Sequence, residues 1–266
     1  MKRSIWFIIL AFSLIVAIVA SVNIYLLNKE YQAGINTYTN LEQYVVVEEA
    51  SEQEPIIGAE EPETIQEEEK KESIIPVHLS IDFAKLKEIN DHLVGWLYYE
   101  PLEISYPIVR GNDNDYYTHY TFENQKNSSG AIFMDFLNKP NMDNYNTIIY
   151  GHNMRNGTMF GSLKKLINDN SIIKENPYFY VFTEDKVFMY EIASAYITVS
   201  SSDTYNLIQH EEDQQAYISY ILGVSEYLWD KEMKPQDKIM TLSTCHGLHS
   251  TNRTIVHGVL IAEEDR

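Results

Sequence analysis

From Ser4 to Leu27 the chain is an almost unbroken apolar run, and no later segment repeats that pattern. A membrane-crossing helix needs about 20 apolar residues, whereas the apolar region of a cleavable signal peptide is roughly 7–15 long. Ala17, Ala20 and Ser21 could mimic a cleavage site, but apolar residues continue on both sides of them. Residues 4–27 are therefore read as an uncleaved transmembrane signal anchor. Lys2 and Arg3 precede the run, while Lys29 and Glu30 cancel after it. The positive-inside rule then leaves residues 1–3 in the cytoplasm and carries everything after Leu27 to the outside. The expected location is the cell membrane, crossed once.

Residues 28–75 read as an acidic extracellular linker. Between Glu42 and Glu72 there are twelve Glu against Lys70 and Lys71, a net charge of −10. A like-charged stretch with few apolar residues stays extended and solvated. It is either a stalk for the domain beyond it or a tolerated linker. A folded domain is expected over 76–266. Ser80 is placed as the N-cap of a helix in which Phe83, Leu86, Ile89 and Leu93 recur at helical spacing. The pattern then changes to short β-branched and aromatic runs separated by turn-forming clusters. Strands are predicted at Ile104–Val109, Ala131–Met134, Thr147–Tyr150, Tyr178–Thr183, Val187–Val199, Lys238–Ser243 and Thr254–Ile261. Two helices interrupt them, a short one at Ser162–Asn168 and a longer one at Glu211–Trp229. Many short strands with few helices predict a mainly β chain built on a barrel.

Composition narrows the function. The formal net charge of the 266 residues is −19, which argues against a nucleic-acid partner, since phosphate contacts need clustered Lys and Arg. Cys245 is the only cysteine, so an intramolecular disulfide and a Cys-rich zinc site are both excluded. A lone cysteine is most often a small buried apolar residue. This one, however, closes a predicted strand just before a polar loop, where a scaffold presents reactive groups. His246, His249 and Arg253 are close in sequence and would stabilise a thiolate.

A cysteine nucleophile needs an imidazole partner, usually distant in sequence. His78, His92, His119 and His210 lie on or beside helices and loops and read as structural or surface residues. His152 ends the strand NTIIYGH and opens a loop rich in Gly and Asn. Arg253 opens the strand that follows Cys245, so a short loop should bring both to one rim of the sheet. A guanidinium there could donate to a substrate carbonyl or to the oxyanion of a tetrahedral intermediate. No metal or cofactor is expected.

The segments TLSTC at Thr241–Cys245, YGHNM at Tyr150–Met154 and the strand-opening Arg253 resemble the catalytic motifs of sortases. GTMFGSLKKL, GWL at Gly95–Leu97, YPIVRGNDNDYY at Tyr106–Tyr117 and the ending RTIVHGVL resemble class B sortases in particular. The likeness covers roughly Ile81 to the C-terminus. It implies a sortase-type β-barrel with an N-terminal helical segment and a long helix inserted before the strand that carries the cysteine. It implies Cys245 as nucleophile, His152 as proton-transfer partner and Arg253 as the residue that orients substrate and stabilises the oxyanion. Ser243 and Thr244 are weaker candidates for lining the substrate groove. The implied reaction cleaves a C-terminal sorting signal, of an Asn-Pro-x-Thr-like pattern, after threonine. The acyl group then passes to an amine, such as that of a peptidoglycan precursor, which would anchor surface proteins to the cell wall. Pilin polymerisation is an alternative, and a non-catalytic binding ectodomain a further one. A cysteine L,D-transpeptidase would have its arginine close behind the cysteine, whereas Arg253 lies well downstream. The loop HGLHSTN departs from class B, which often has an aromatic or acidic residue soon after the cysteine. The roles of His246 and His249 are left open by that departure.

Overall fold

Helix α1 (Lys2–Leu41) is 40 residues long and contains the entire apolar run. The computed structural model describes residues 2–48, 73–208, 210–227, 229–245 and 251–266. Among these residues α1 is the one helix long and apolar enough to cross a membrane. Its large apolar side chains from Ile5 to Leu27 are exposed, a patch far beyond what a soluble surface tolerates.

The same helix continues past the apolar run and docks on the folded domain. Tyr38 and Leu41 are buried in the main core, and Tyr31 packs against it. Strand β1 (Val45–Glu48) follows and pairs antiparallel with β2 (His78–Ile81), from Val45 opposite Ile81 to Glu48 opposite His78. The structure thus departs from a linker spanning 28–75. Residues 28–41 are helical, and the chain has already joined the domain before the acidic run begins. Most of that run, from Glu49 to Glu72, lies outside the described residues, as do His246 and His249.

Helix α2 (Phe83–Ile89) is shorter than the periodicity predicts, and its N-cap is Asp82 rather than Ser80, which lies in β2. Asp82 accepts from the Lys85 N–H at 3.0 Å. The helix ends because the buried Asn90 side chain binds elsewhere: Nδ2 donates to Phe122 O at 2.8 Å and Oδ1 accepts from His92 N at 3.0 Å. Leu93 accordingly belongs to strand β3 (Leu93–Tyr99), not to the helix.

Seven further strands complete the set: β4 (Ile104–Val109), β5 (Ile132–Met134), β6 (Asn146–His152), β7 (Tyr178–Phe182), β8 (Lys186–Val199), β9 (Ile239–Cys245) and β10 (Asn252–Asp265). They close into a barrel with β3, in the order β10-β8-β7-β3-β4-β5-β6-β9. Closure leaves no open sheet edge among these strands. Only β4–β5 and β6–β9 are parallel. Short helices α3 (Tyr116–His119), α4 (Lys164–Asn168) and α5 (Ser171–Glu175) lie in the connections.

Trp96, Ile108, Phe133, Phe179 and Leu242 are fully or almost fully buried in the main core. Helix α6 (Glu211–Gly223) builds a second cluster by packing Tyr217, Ile218 and Ile221 against Ala193, Ile239 and Val259. It stops short of Trp229 because the chain beyond it is tied to β8. Glu226 N donates to Ala195 O at 2.9 Å, and Ala195 N donates to Ser225 Oγ at 3.1 Å.

Candidate active site

Strands β6 and β9 run parallel and in register for their whole length, from Asn146 opposite Ile239 to His152 opposite Cys245. Two buried segments of equal length therefore end at one rim with His152 and Cys245 on neighbouring backbones. On the other side of β9, β10 pairs antiparallel, with Ile255 opposite Ser243. Two more residues in that register set Arg253 opposite Cys245. The regular ladder stops before that point, and the Thr254 N–H donates to Thr244 Oγ1 at 3.0 Å instead. Arg253 is half-buried and opposite Thr198 on β8, and its Nη1 donates to Asn252 O at 3.0 Å. The structure thus ends the strands of His152 and Cys245 side by side and starts the adjacent strand β10 with Arg253 near the same end of the barrel.

His152 is half-buried, and its Nε2 lies 2.7 Å from the Thr118 carbonyl. A carbonyl only accepts, so the neutral ring carries its proton on Nε2 and leaves Nδ1 as the basic nitrogen. Burial pulls the imidazole below its ordinary value; His119 pushes the same way, and the Thr118 hydrogen bond opposes both. A shift in that direction favours the neutral ring, the form able to take a proton.

Gly130 closes on the same ring. Its φ is +55°, and a Cβ there would sit 2.5 Å from Tyr117 O and 3.0 Å from His152 Cδ2. Only glycine allows both the left-handed backbone and this approach. Beyond His152 the chain folds back, with Phe160 N donating to His152 O at 2.9 Å and Met159 N to Tyr106 Oη at 3.1 Å.

Ser243 and Thr244 do not present free hydroxyls to a groove. Both are buried; Ser243 Oγ is 2.8 Å from Tyr205 Oη, and Thr244 Oγ1 serves Thr254. Tyr205 stacks on Tyr150, whose hydroxyl donates to Asp135 Oδ2 at 2.8 Å. Sequence reasoning passed over Thr118, Gly130, Tyr205 and Asp135. Tyr150 was within reach, since it precedes His152 by two positions and a strand repeats its faces every two residues.

Of the other described histidines only His119 is near enough to act on the His152 ring. His92 Nδ1 meets Tyr117 Oη at 2.9 Å, His119 faces Asp115 at 3.7 Å, and His210 precedes α6. His257 is fully buried between Tyr196 and Thr241. Among the described residues no group of three His, Cys, Asp or Glu side chains is placed to hold a metal ion.

A sortase-domain family model matches residues 97–261. Sortase B of Listeria monocytogenes is 31% identical over 187 residues, which cover 68% of this chain and 75% of that protein. Sortase B of Staphylococcus aureus is 32% identical over 190 residues, covering 69% and 76%. Among solved structures, the Staphylococcus aureus sortase B–substrate complex superposes with a TM-score of 0.64 at 30% identity, over 67% of this chain and 84% of that one. Sortase B from B. anthracis in complex with AAEK1 superposes with a TM-score of 0.68 at 28% identity, over 88% and 98%.

Proposed function

The chain belongs to the sortase family and is a class B-like transpeptidase, and from that premise we propose that Cys245, His152 and Arg253 carry out acyl transfer from a sorting-signal peptide. The observation that carries the reading is the shared end of β6 and β9, with β10 bringing Arg253 alongside. His152 Nδ1 takes the Cys245 thiol proton, and the thiolate attacks the carbonyl of the threonine in the signal. The tetrahedral oxyanion accepts hydrogen bonds from Arg253 and backbone N–H groups, each worth on the order of 3 kcal/mol in other acyl-transfer enzymes. The imidazolium returns its proton to the leaving amine, and a thioester remains. An incoming amine gives a proton to His152 as it attacks, and the collapsing intermediate expels the thiolate, which recovers the proton.

The signal is proposed to be Asn-Pro-x-Thr-like and the amine to belong to a cell-wall peptide, so that surface proteins become wall-anchored. Residues 4–27 would hold the enzyme in the membrane with residues 1–3 inside. Enzyme, substrate and wall precursor are then confined to one surface, which raises their effective concentrations. The test uses the full chain in detergent with a library of quenched fluorescent pentapeptides. Cleavage after threonine, stimulated by an added amine and lost in Cys245→Ala, is expected. Full turnover in that variant sinks the assignment.

A further inference from the structure

The loop that holds His152 is itself gripped from outside by helix α1. Three residues do this, and each comes from a different turn of the helix. Glu30 accepts twice: its main-chain O from Asn127 Nδ2 and its Oε1 from the Ser128 N–H, both at 2.9 Å. Gly34 lies flush on the loop, where a Cβ would come within 2.8 Å of Ser129 Oγ and 2.9 Å of Asn127 Oδ1. Tyr38, buried, donates its hydroxyl to the Gly130 carbonyl and accepts from Phe122 N at 3.4 Å. Glu30, Gly34 and Tyr38 are spaced at i, i+4 and i+8, so they form one stripe along the helix.

The far side of the loop touches the catalytic imidazole. Gly130 packs on His152 Cδ2, and Thr118 O, near where a Gly130 Cβ would lie, accepts from His152 Nε2. The loop closes on itself through Asn127 N to His119 O and Ala131 N to Tyr117 O, both 2.9 Å. A displacement of Gly130 is therefore transmitted to the residues that hold the ring.

We propose that Tyr38 is a positioning residue for His152: its hydroxyl latches the Gly130 carbonyl, so the docked end of the anchor helix is a working part of the active site. The inference rests on His152 as the proton-transfer residue. It goes beyond that reading by assigning part of the imidazole's alignment to a helix 114 positions upstream in sequence. Two contacts make Tyr38 the residue to alter. Its ring sits edge-on to Tyr106, with centroids 5.3 Å apart, and Phe would keep that packing while deleting the hydroxyl.

The experiment uses the full chain in detergent micelles and compares wild type with Tyr38→Phe. Peptide turnover is followed across pH, and the His152 ring is titrated by NMR on labelled histidine, assigned with His152→Asn. The charged and titratable groups around the ring are His119 on α3 and, by strand register, Cys245, with Arg253 on the strand beyond; none is altered. The expected result is a kcat reduced about fivefold or more with KM within about twofold, as for a misaligned catalytic group. The His152 titration should move up, because burial is the largest cause of its lowered value. Gly34→Leu, which wedges the helix off Ser129, should shift both readouts the same way. An unmoved titration in Tyr38→Phe overturns the latch, whether or not thermal stability falls. A moved titration with unchanged kcat upholds the latch and instead removes His152 from proton transfer.

Discussion

At the scale of single residues, Arg253 is the sharpest test of the chemistry. It stands near the start of β10, the strand next to the one that Cys245 ends, two residues before the last registered pair Ile255–Ser243, and is half-buried. A guanidinium holds a planar fork of donors, whereas an ammonium is a compact and more strongly hydrated point charge. Arg253→Lys retains the charge but not that geometry. Turnover of the best pentapeptide should fall about 10²-fold, the usual cost of losing one oxyanion donor, with little change in thermal midpoint. Near-normal turnover would exclude Arg253 from oxyanion stabilisation. His152 and Cys245 were legible in sequence for a related reason: both end strands, and strand ends are where a barrel offers side chains to substrate. Thr118 and Gly130 were not, because the contacts that matter are a carbonyl and a bare backbone. Neither leaves a side-chain signature.

At the scale of elements, the strands that carry the site are tied together by a buried polar chain. Tyr196 on β8 meets His257 Nε2 on β10 at 2.9 Å, and His257 Nδ1 meets Thr241 Oγ1 on β9 at 2.9 Å. Thr241 donates to Asn146 Oδ1 on β6 at 2.7 Å, and Asn146 Nδ2 reaches Tyr217 Oη on α6 at 2.7 Å. Because Thr241 uses its only proton on Asn146, His257 must donate from Nδ1 and accept at Nε2, which is the neutral ring. Burial pushes its pKa from the ordinary 6.5 down to about 3. Between those values the unfolded chain binds a proton that the folded chain refuses. The stability that His257 contributes is therefore complete above pH 6.5 and lost as pH falls toward 3. From pH 7 to pH 5 the loss should be about 2 kcal/mol, at about 1.36 kcal/mol per unit. Urea melts of wild type and His257→Gln at the two pH values check this, with the variant losing correspondingly less. Equal losses would place the acid sensitivity elsewhere. Seven strands were predicted near their observed limits, since short β-branched and aromatic runs bounded by turn-forming clusters are a local signal. Strand β3 was missed because Leu93 also completes a helical spacing with Phe83, Leu86 and Ile89. What breaks the tie is Asn90, whose partner Phe122 lies 32 positions away.

At the scale of the whole molecule, the departure from the sequence reading lies at the N-terminus. Composition divides the chain into an anchor, an acidic linker and a domain, yet the structure attaches helix α1 directly to the barrel. Glu30, the first residue to hold the His152 loop, follows Leu27 by three positions, about 4.5 Å along the helix axis. If residues 4–27 span the bilayer, the catalytic rim lies beside its outer face rather than at the end of a stalk. The amphipathic character of residues 31–41 was hidden because their partners, Tyr106 and Gly130, are far away in sequence and one of them has no side chain. This arrangement has a measurable consequence for where the folded unit begins. A chain starting at Glu30 keeps Tyr38, Leu41 and the β1–β2 pairing, whereas one starting at Ile74 loses all three. Two large buried side chains contribute about 3–6 kcal/mol at roughly 1.5–3 kcal/mol each. For a domain near 200 residues that corresponds to a thermal midpoint lower by about 6–24 °C. The shorter chain should also show the raised His152 titration of Tyr38→Phe, because the Gly130 carbonyl loses the same donor. Equal midpoints for the two chains would mean that helix α1 only rests against the barrel, and that the folded unit begins near Pro76 as composition suggests.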